Sequence, residues 1–363
     1  MNRETKRKLI TASITFMVLY FFIAARPVPP ETVFIPLQLS SLEASYAPVA
    51  QEPGQQSALI PFNQDKHVGY ISRDGVIIAN QVQRGSVSLS SEYWSDYEAM
   101  PETIEIRDPY DNLVLTIKDV QGYPFFLDNR LFIIGPERQI LEEINAEGSR
   151  LWTYTFAAPI STLDAAADLI VAGALDGTVE ILSNQGKSLF TFIPGGSRLS
   201  VITGCALSKD GTKLALISGV DQQRFLFLER LNNAQALEYK VVYHEFLQEG
   251  LRKAMYLEFV NNDTGVVFER EGGLGFYNIA LRYTVTTSFG GDIVDLDASG
   301  NDGLVFLITA RDELQKYFVA VRLPHTLIIE APFKSPDSFL ARSGSRVVLG
   351  GGTALVLFEL EKR

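Results

Sequence analysis

With 363 residues, 46% hydrophobic and 21% charged, the chain is long enough for a sizeable core and is neither disordered nor polytopic. Its formal net charge is -11, and without residues 1–25 the balance is 28 basic against 42 acidic side chains, a surface that repels phosphate backbones and excludes nucleic acid as a partner. Cys205 is the single cysteine, which rules out a disulfide framework and a cysteine-based zinc site; its setting in VITGCALS points to a buried, inert thiol.

At the amino terminus Arg3, Lys6, Arg7 and Lys8 precede Leu9–Ala25, a run of 17 uncharged and mostly apolar positions that stops before Arg26. As a helix this run rises about 26 Å, near a hydrocarbon core of about 30 Å if Lys8 and Arg26 snorkel. Residues 1–25 are therefore expected to form a single-pass transmembrane helix in the cell (inner) membrane. The basic end would lie in the cytoplasm and the rest on the extracytoplasmic, periplasmic side. A cleaved signal peptide is the competing reading, with Ile23-Ala24-Ala25 a partial cleavage site; either way the remainder lands on the same side.

Residues 26–66 hold seven of the 16 prolines and read as an extended tether. Within it TVFIPLQL (Thr32–Leu39) alternates in polarity and is the first choice for a strand that closes a ring from its start. SALIPF (Ser57–Phe62) is the second, and a plain linker is the alternative.

From residue 67 to 363 short apolar strands alternate with polar turns. Glu147-Gly148-Ser149-Arg150-Leu151-Trp152 is echoed by Gln185-Gly186-Lys187-Ser188-Leu189-Phe190, and units begin at Tyr123, Ile160, Val201, Tyr256, Ile293 and Ser338. A repeat of about 40 residues made of short strands is a blade of a β-propeller. Gly69–Val120 reads as a first unit carrying a long insertion, SVSLSSEYWSDYEAMPE. The segment EYKVVYHEFLQEGLRK reads as a short helix with Tyr243, Phe246, Leu247 and Leu251 along one stripe. The last unit is one strand short. The expected fold is all-β, a propeller of about seven four-stranded blades with six or eight as the neighbouring counts.

GSRLWTYTF followed by LIVAGALDGTVEILSNQGKSLFTF resembles the repeat of pyrroloquinoline-quinone-like propellers, and KDGTKLAL and DGLVFLI resemble WD40-like units. The stronger resemblance covers residues 145–192. Trp152 alone holds the repeat tryptophan, and no Gly-His or Trp-Asp signature recurs, so the resemblance implies the fold and carries no cofactor. Among similar propellers is the outer-membrane assembly factor family, whose likeness implies a scaffold with a protein partner in the envelope.

Signals for chemistry are sparse. His67, His244 and His325 are scattered, and Arg342-Ser343-Gly344-Ser345-Arg346 lacks a nucleophile elbow and reads as a hairpin turn. Asp74, Asp176, Asp210, Asp263 and Asp302 sit at turns, where Asp and Gly suit the reversal. Asp295 and Asp297 in GDIVDLDAS are the exception: on one strand they face the same way, and such a pair calls for a cation or a proton, which makes them weak metal candidates. Tyr93, Trp94 and Tyr97, large aromatics in a polar loop, are the partner-binding candidates. No catalytic or cofactor residue is assigned. The function expected is a membrane-anchored, extracytoplasmic propeller that binds or scaffolds proteins; the alternative is an enzyme or receptor for a sugar- or quinone-type ligand in the central funnel.

Overall fold

The computed structural model describes residues 3–23, 31–44, 59–99, 101–127, 129–231, 236–247 and 253–362. Two compact units emerge, a small one of Met1–Ile35 with Leu360–Arg363 and a large one of Pro36–Glu359. The small unit holds the helix α1 (Arg3–Ile23). Its first turns are taken up by charged residues, so the apolar run within it is Leu9–Ile23, which rises only about 22 Å. That is well short of about 30 Å of hydrocarbon. Among the described residues no helix is long and apolar enough to cross a membrane, which corrects the expected transmembrane span. Ala24 and Ala25 lie outside the described residues.

The large unit is built from eight sheets. The strand β1 (Thr32–Ser41) comes first in the chain and belongs to the last sheet. Blade 1 is β2 (Ile60–Gln64), β3 (His67–Ile71) and β4 (Ile77–Val82); blade 2 is β5 (Ser86–Leu89), β6 (Trp94–Tyr97), β7 (Thr103–Arg107) and β8 (Leu113–Lys118). Blade 3 is β9 (Tyr123–Leu127), β10 (Arg130–Ile134), β11 (Ile140–Ile144) and β12 (Arg150–Thr155); blade 4 is β13 (Ile160–Ala166), β14 (Leu169–Ala174), β15 (Val179–Ser183) and β16 (Ser188–Phe192). Blade 5 is β17 (Ile202–Leu207), β18 (Lys213–Ser218), β19 (Arg224–Arg230) and β20 (Tyr239–Phe246); blade 6 is β21 (Leu257–Val260), β22 (Gly265–Arg270), β23 (Gly273–Asn278) and β24 (Tyr283–Ser288). Blade 7 is β25 (Asp292–Asp297), β26 (Leu304–Ala310), β27 (Gln315–Arg322) and β28 (Thr326–Lys334); blade 8 is β29 (Ser338–Ser343), β30 (Arg346–Gly351) and β31 (Ala354–Lys362), with β1 hydrogen-bonded beside β31.

First strands neighbour one another around the ring, for example β2 with β5, β5 with β9, β13 with β17, β17 with β21, and β29 with β2. They therefore line the central channel. Second strands are sandwiched between adjacent blades and are buried on both faces, so they read as unbroken apolar runs: LIVAGA in β14 is buried at every position. Outer strands alternate, as RLWTYT does in β12. Hydrophobic clusters lie across seams; one joins Val171 and Ile181 of blade 4 to Leu214 and Leu226 of blade 5.

The repeated phrase has a packing explanation. Gly186 turns with φ +71°, and a Cβ there would lie 2.5 Å from the Trp152 ring of the preceding blade. Gly148, φ +80°, meets Leu115 of blade 2 in the same way. Glycine thus serves both the left-handed turn and the close approach of the neighbouring side chain. Trp152 is held by its own hydrogen bonds to Glu143 (2.7 Å) and to the Asn184 carbonyl (3.1 Å).

The structure has eight blades where about seven were expected. The insertion assigned to the first unit is itself two strands, β5 and β6, so Gly69–Val120 divides between blades 1 and 2. Blade 1 begins upstream, with Ile60–Gln64 as its innermost strand. Of the segment expected to be a helix, Tyr239–Phe246 is instead β20, paired along its length with β19. Its valines and tyrosines suit a pleated surface, and Tyr243 stacks on Tyr277 of blade 6 at 4.5 Å. Leu251, the end of the expected helical stripe, lies outside the described residues.

Candidate functional site

The three aromatic residues singled out in the sequence fall on the β5–β6 hairpin and on β6, between blades. Trp94 is 7% exposed, packs with Val68 and Tyr70 of blade 1, and donates its indole N–H to the Asp108 carbonyl at 3.1 Å. Tyr93 is half-buried and stacks on Phe126 of blade 3, with ring centroids 6.2 Å apart. Tyr97, also half-buried, pairs with Tyr123 at 6.0 Å and lines two separate cavities.

Asp295 and Asp297 do share a strand, β25, but their oxygens are occupied. Asp295 accepts N–H bonds from Leu296 (2.9 Å) and from Leu340 of blade 8 (2.8 Å). Asp297 accepts from Ser299, by N–H at 3.0 Å and hydroxyl at 2.7 Å, and from the N–H of Arg342 in blade 8 at 2.7 Å. Asp164 on β13 makes the same reach to the Leu207 N–H of blade 5 at 2.7 Å, and Glu258 on β21 takes the Ala298 N–H of blade 7. An inner-strand carboxylate that receives the next blade's N–H is thus a repeated clip. Among the described residues, no group of three or more His, Cys, Asp or Glu side chains is arranged to hold a metal ion.

Clustering these acids near the axis has an electrostatic cost. Burial, and then the charges of Asp297, Asp164 and Asp295, push the Glu258 carboxyl up to about 8. Burial pushes Asp295 up to about 7 against the lowering pull of its two N–H donors. A proton therefore meets part of the need that the sequence had left to a cation or a proton. Cys205 is buried and its thiol is pushed up to about 12 by burial, so it is not a nucleophile at neutral pH.

Among the described residues three cavities lie in the sector of blades 1–4, and two of them bear on the aromatic residues above. One, of about 450 Å³, is lined by residues of the inner strands β5, β9 and β13. Tyr97, Tyr123, Phe125, Ile134 and Leu163 form much of its lining, and Arg138 is its one charged residue. The other, of about 330 Å³, is a polar groove between β4 of blade 1 and blade 2, where Gln81, Val82 and Trp94 meet Glu98, Arg107 and Asp111. Arg107 is already paired there, to Glu105 at 2.7 Å and Asp111 at 3.3 Å. Arg138 carries no mark in the sequence, and Tyr123 stands out there only as the start of a unit. Aligning the blades by their inner strands is the signal that would have brought residues 87–88, 123–125 and 160–163 to one wall.

A family model described as "beta-propeller protein" matches residues 1–362, and the chain belongs to that family. An uncharacterized protein of Treponema pallidum (strain Nichols) is 26% identical over 354 residues, covering 96% of this chain and 92% of its own. Among solved structures, BamB from Moraxella catarrhalis superposes with a TM-score of 0.58 at 11% identity, over 90% of this chain and 100% of that one. The computationally designed Ika8 protein gives 0.59 at 16% identity, over 84% and 98%. A chain of the mitotic checkpoint complex gives 0.57 at 12% identity, over 87% and 96%. At such identities these likenesses concern the fold alone.

Proposed function

We propose that this propeller is a protein-binding module that works outside the cytoplasm, in the cell envelope, and that it is of the pyrroloquinoline-quinone-like kind without the cofactor. One observation carries the protein-binding reading. Seven blades have four strands, whereas blade 1 has three among the described residues and ends in β4. The β4 sequence, IIANQV, has no charge and no proline. Edge strands are ordinarily blunted by such residues, because unpaired backbone groups recruit another strand. Exposed apolar side chains accompany this edge: Val82 at its end, Leu113 and Val114 on the outer strand of blade 2, and Leu37 and Leu39 on that of blade 8. An extended segment of a partner protein, added beside β4, would meet backbone partners and apolar contacts together.

The amino terminus supports the location. Four basic residues precede the 15 uncharged, mostly apolar positions of α1, at the upper end of the range for an export signal, and Ile10, Ile14, Phe16, Met17 and Tyr20 are exposed on the helix. In this reading α1 serves as the export signal that directs the chain out of the cytoplasm, and no lasting membrane span is required of it.

A photo-crosslinking amino acid at position 82 of the intact protein, compared with one at Leu189 on the outer strand of blade 4, tests the proposal. A discrete adduct with a second protein from position 82 alone is expected. Adducts only to residues 45–58 of the same chain, or equal adducts from both positions, would overturn it. A reporter fused after Arg363 tests the location and must be active only outside the cytoplasm.

A further inference from the structure

We infer that the cavity lined by the inner strands of blades 2–4 is a binding site for a small amphiphilic anion, an apolar body bearing one carboxylate. The inference is independent of the protein-binding reading. At about 450 Å³ the cavity falls within the roughly 300–1,000 Å³ of small-molecule sites, and its make-up is of that kind: aromatic and aliphatic walls with few polar groups. Tyr97 and Tyr123 place two tilted rings along it, and Phe125, Ile134 and Leu163 extend the apolar surface.

The charge of the site selects the sign of the ligand. In a chain with 43 acidic and 32 basic residues, this lining holds no carboxylate and one guanidinium. Arg138 is exposed and makes no ion pair among the described residues. Asp96, Glu98, Glu137 and Asp164 each adjoin a lining residue in sequence without lining the cavity; Asp96 accepts the N–H groups of Arg84 and Gly85, and Asp164 those of Ala165 and Leu207. An unpaired guanidinium beside an apolar wall offers a carboxylate a forked pair of donors. A single cation matches a monoanion better than a dianionic phosphate. Arg138 is also held in place by its backbone: its N–H donates to Gly135 (2.8 Å), and its carbonyl accepts the N–H of Ile160, another lining residue, at 2.7 Å. Glu258, Asp295 and Asp297 belong to blades 6 and 7 and none of them lines the cavity, so Arg138 is the charged group there that would orient an amphiphilic anion, with its head at the guanidinium.

Calorimetric titration of the full chain with octanoate, 1-octanol and octylammonium tests the site. Octanoate is expected to bind saturably at one site, octanol more weakly, and octylammonium not measurably. Arg138 has φ +56°, and asparagine tolerates that conformation, so Arg138→Asn removes the charge with the turn intact. It is expected to weaken octanoate by about tenfold or more and to leave octanol within about twofold. A photoreactive octanoate analogue should label residues 123–138 and 160–163. No saturable octanoate binding, equal binding by the variant with an unchanged melting curve, or labelling confined to other segments would overturn the assignment.

Discussion

The seams among blades 4–8 and the sector of blades 1–2 are built differently. In the first, aromatic cores and polar clips cooperate. Phe225 of blade 5 stacks on Phe268 of blade 6 at 4.3 Å, and Arg342 of blade 8 is buried against Asp302 of blade 7 at 2.8 Å while its N–H is taken by Asp297. In the second, a blade with three strands among the described residues ends at an uncharged edge, and the groove beside it is polar and open. A closed ring needs strong seams to hold its curvature and can leave one sector less tied; that sector is where surface remains for a ligand or partner.

The largest effect should come from the core of the strong seams. Phe225 is fully buried, and Phe225→Ala is expected to cost about 3–5 kcal/mol, read from the midpoint of denaturant unfolding. A loss below about 1 kcal/mol would mean that the blade 5–6 seam contributes no more than the open sector does. The clips come next. Asp164→Ala leaves the Leu207 N–H without its acceptor, and Leu207 is buried, so a loss of about 1–3 kcal/mol is expected. Asp164→Asn, which keeps an acceptor oxygen, should recover a good part of it.

The channel acids set a pH dependence with a definite sign. Folding raises the Glu258 and Asp295 carboxyls to about 8 and about 7, above their ordinary ranges near 4.5 and 3.8. The folded state therefore holds these protons more tightly than the unfolded one. The contribution is fully present below about pH 4, fades as pH rises, and is gone above about pH 8. Melting temperature should accordingly decline between pH 5 and pH 8, beyond any change in the rest of the molecule, and Glu258→Gln should flatten that decline. A steeper decline in the variant would contradict the burial of this group.

Much of the architecture was legible because it is written locally. Turn glycines at 75, 177, 211 and 303 take positive φ, as the Asp-Gly and neighbouring turns implied, and second strands such as LIVAGA read directly as buried. What the sequence left open depends on partners far along the chain. Whether TVFIPLQL is a linker or a strand is decided by the free edge of β31, more than 300 residues on, beside which β1 lies. SVSLSSEYWSDYEAMPE looked like an insertion because its strands are only four residues long and no repeat phrase marks them. The site was the least legible part. Trp94 and the Asp295–Asp297 pair stood out by residue type, yet Trp94 is interior and the aspartates are clips, whereas Arg138 gains its interest from three inner strands that meet only in the ring.

The smallest effect on stability should fall on the open sector, and it separates edge from core most sharply. Val82 is 63% exposed at the end of β4, so Val82→Lys buries no charge and removes little packing; the change in unfolding free energy should stay within about 0.5 kcal/mol. The same lysine places a charge where an incoming strand would have to lie, the device by which sheet edges are kept from pairing. If the β4 edge is open, the substitution should lower any concentration-dependent self-association seen by sedimentation and abolish partner crosslinking from a neighbouring position such as Gln81, with the melting curve unchanged. If the edge is already covered within the chain, a lysine there must displace what covers it, and the variant should lose stability instead.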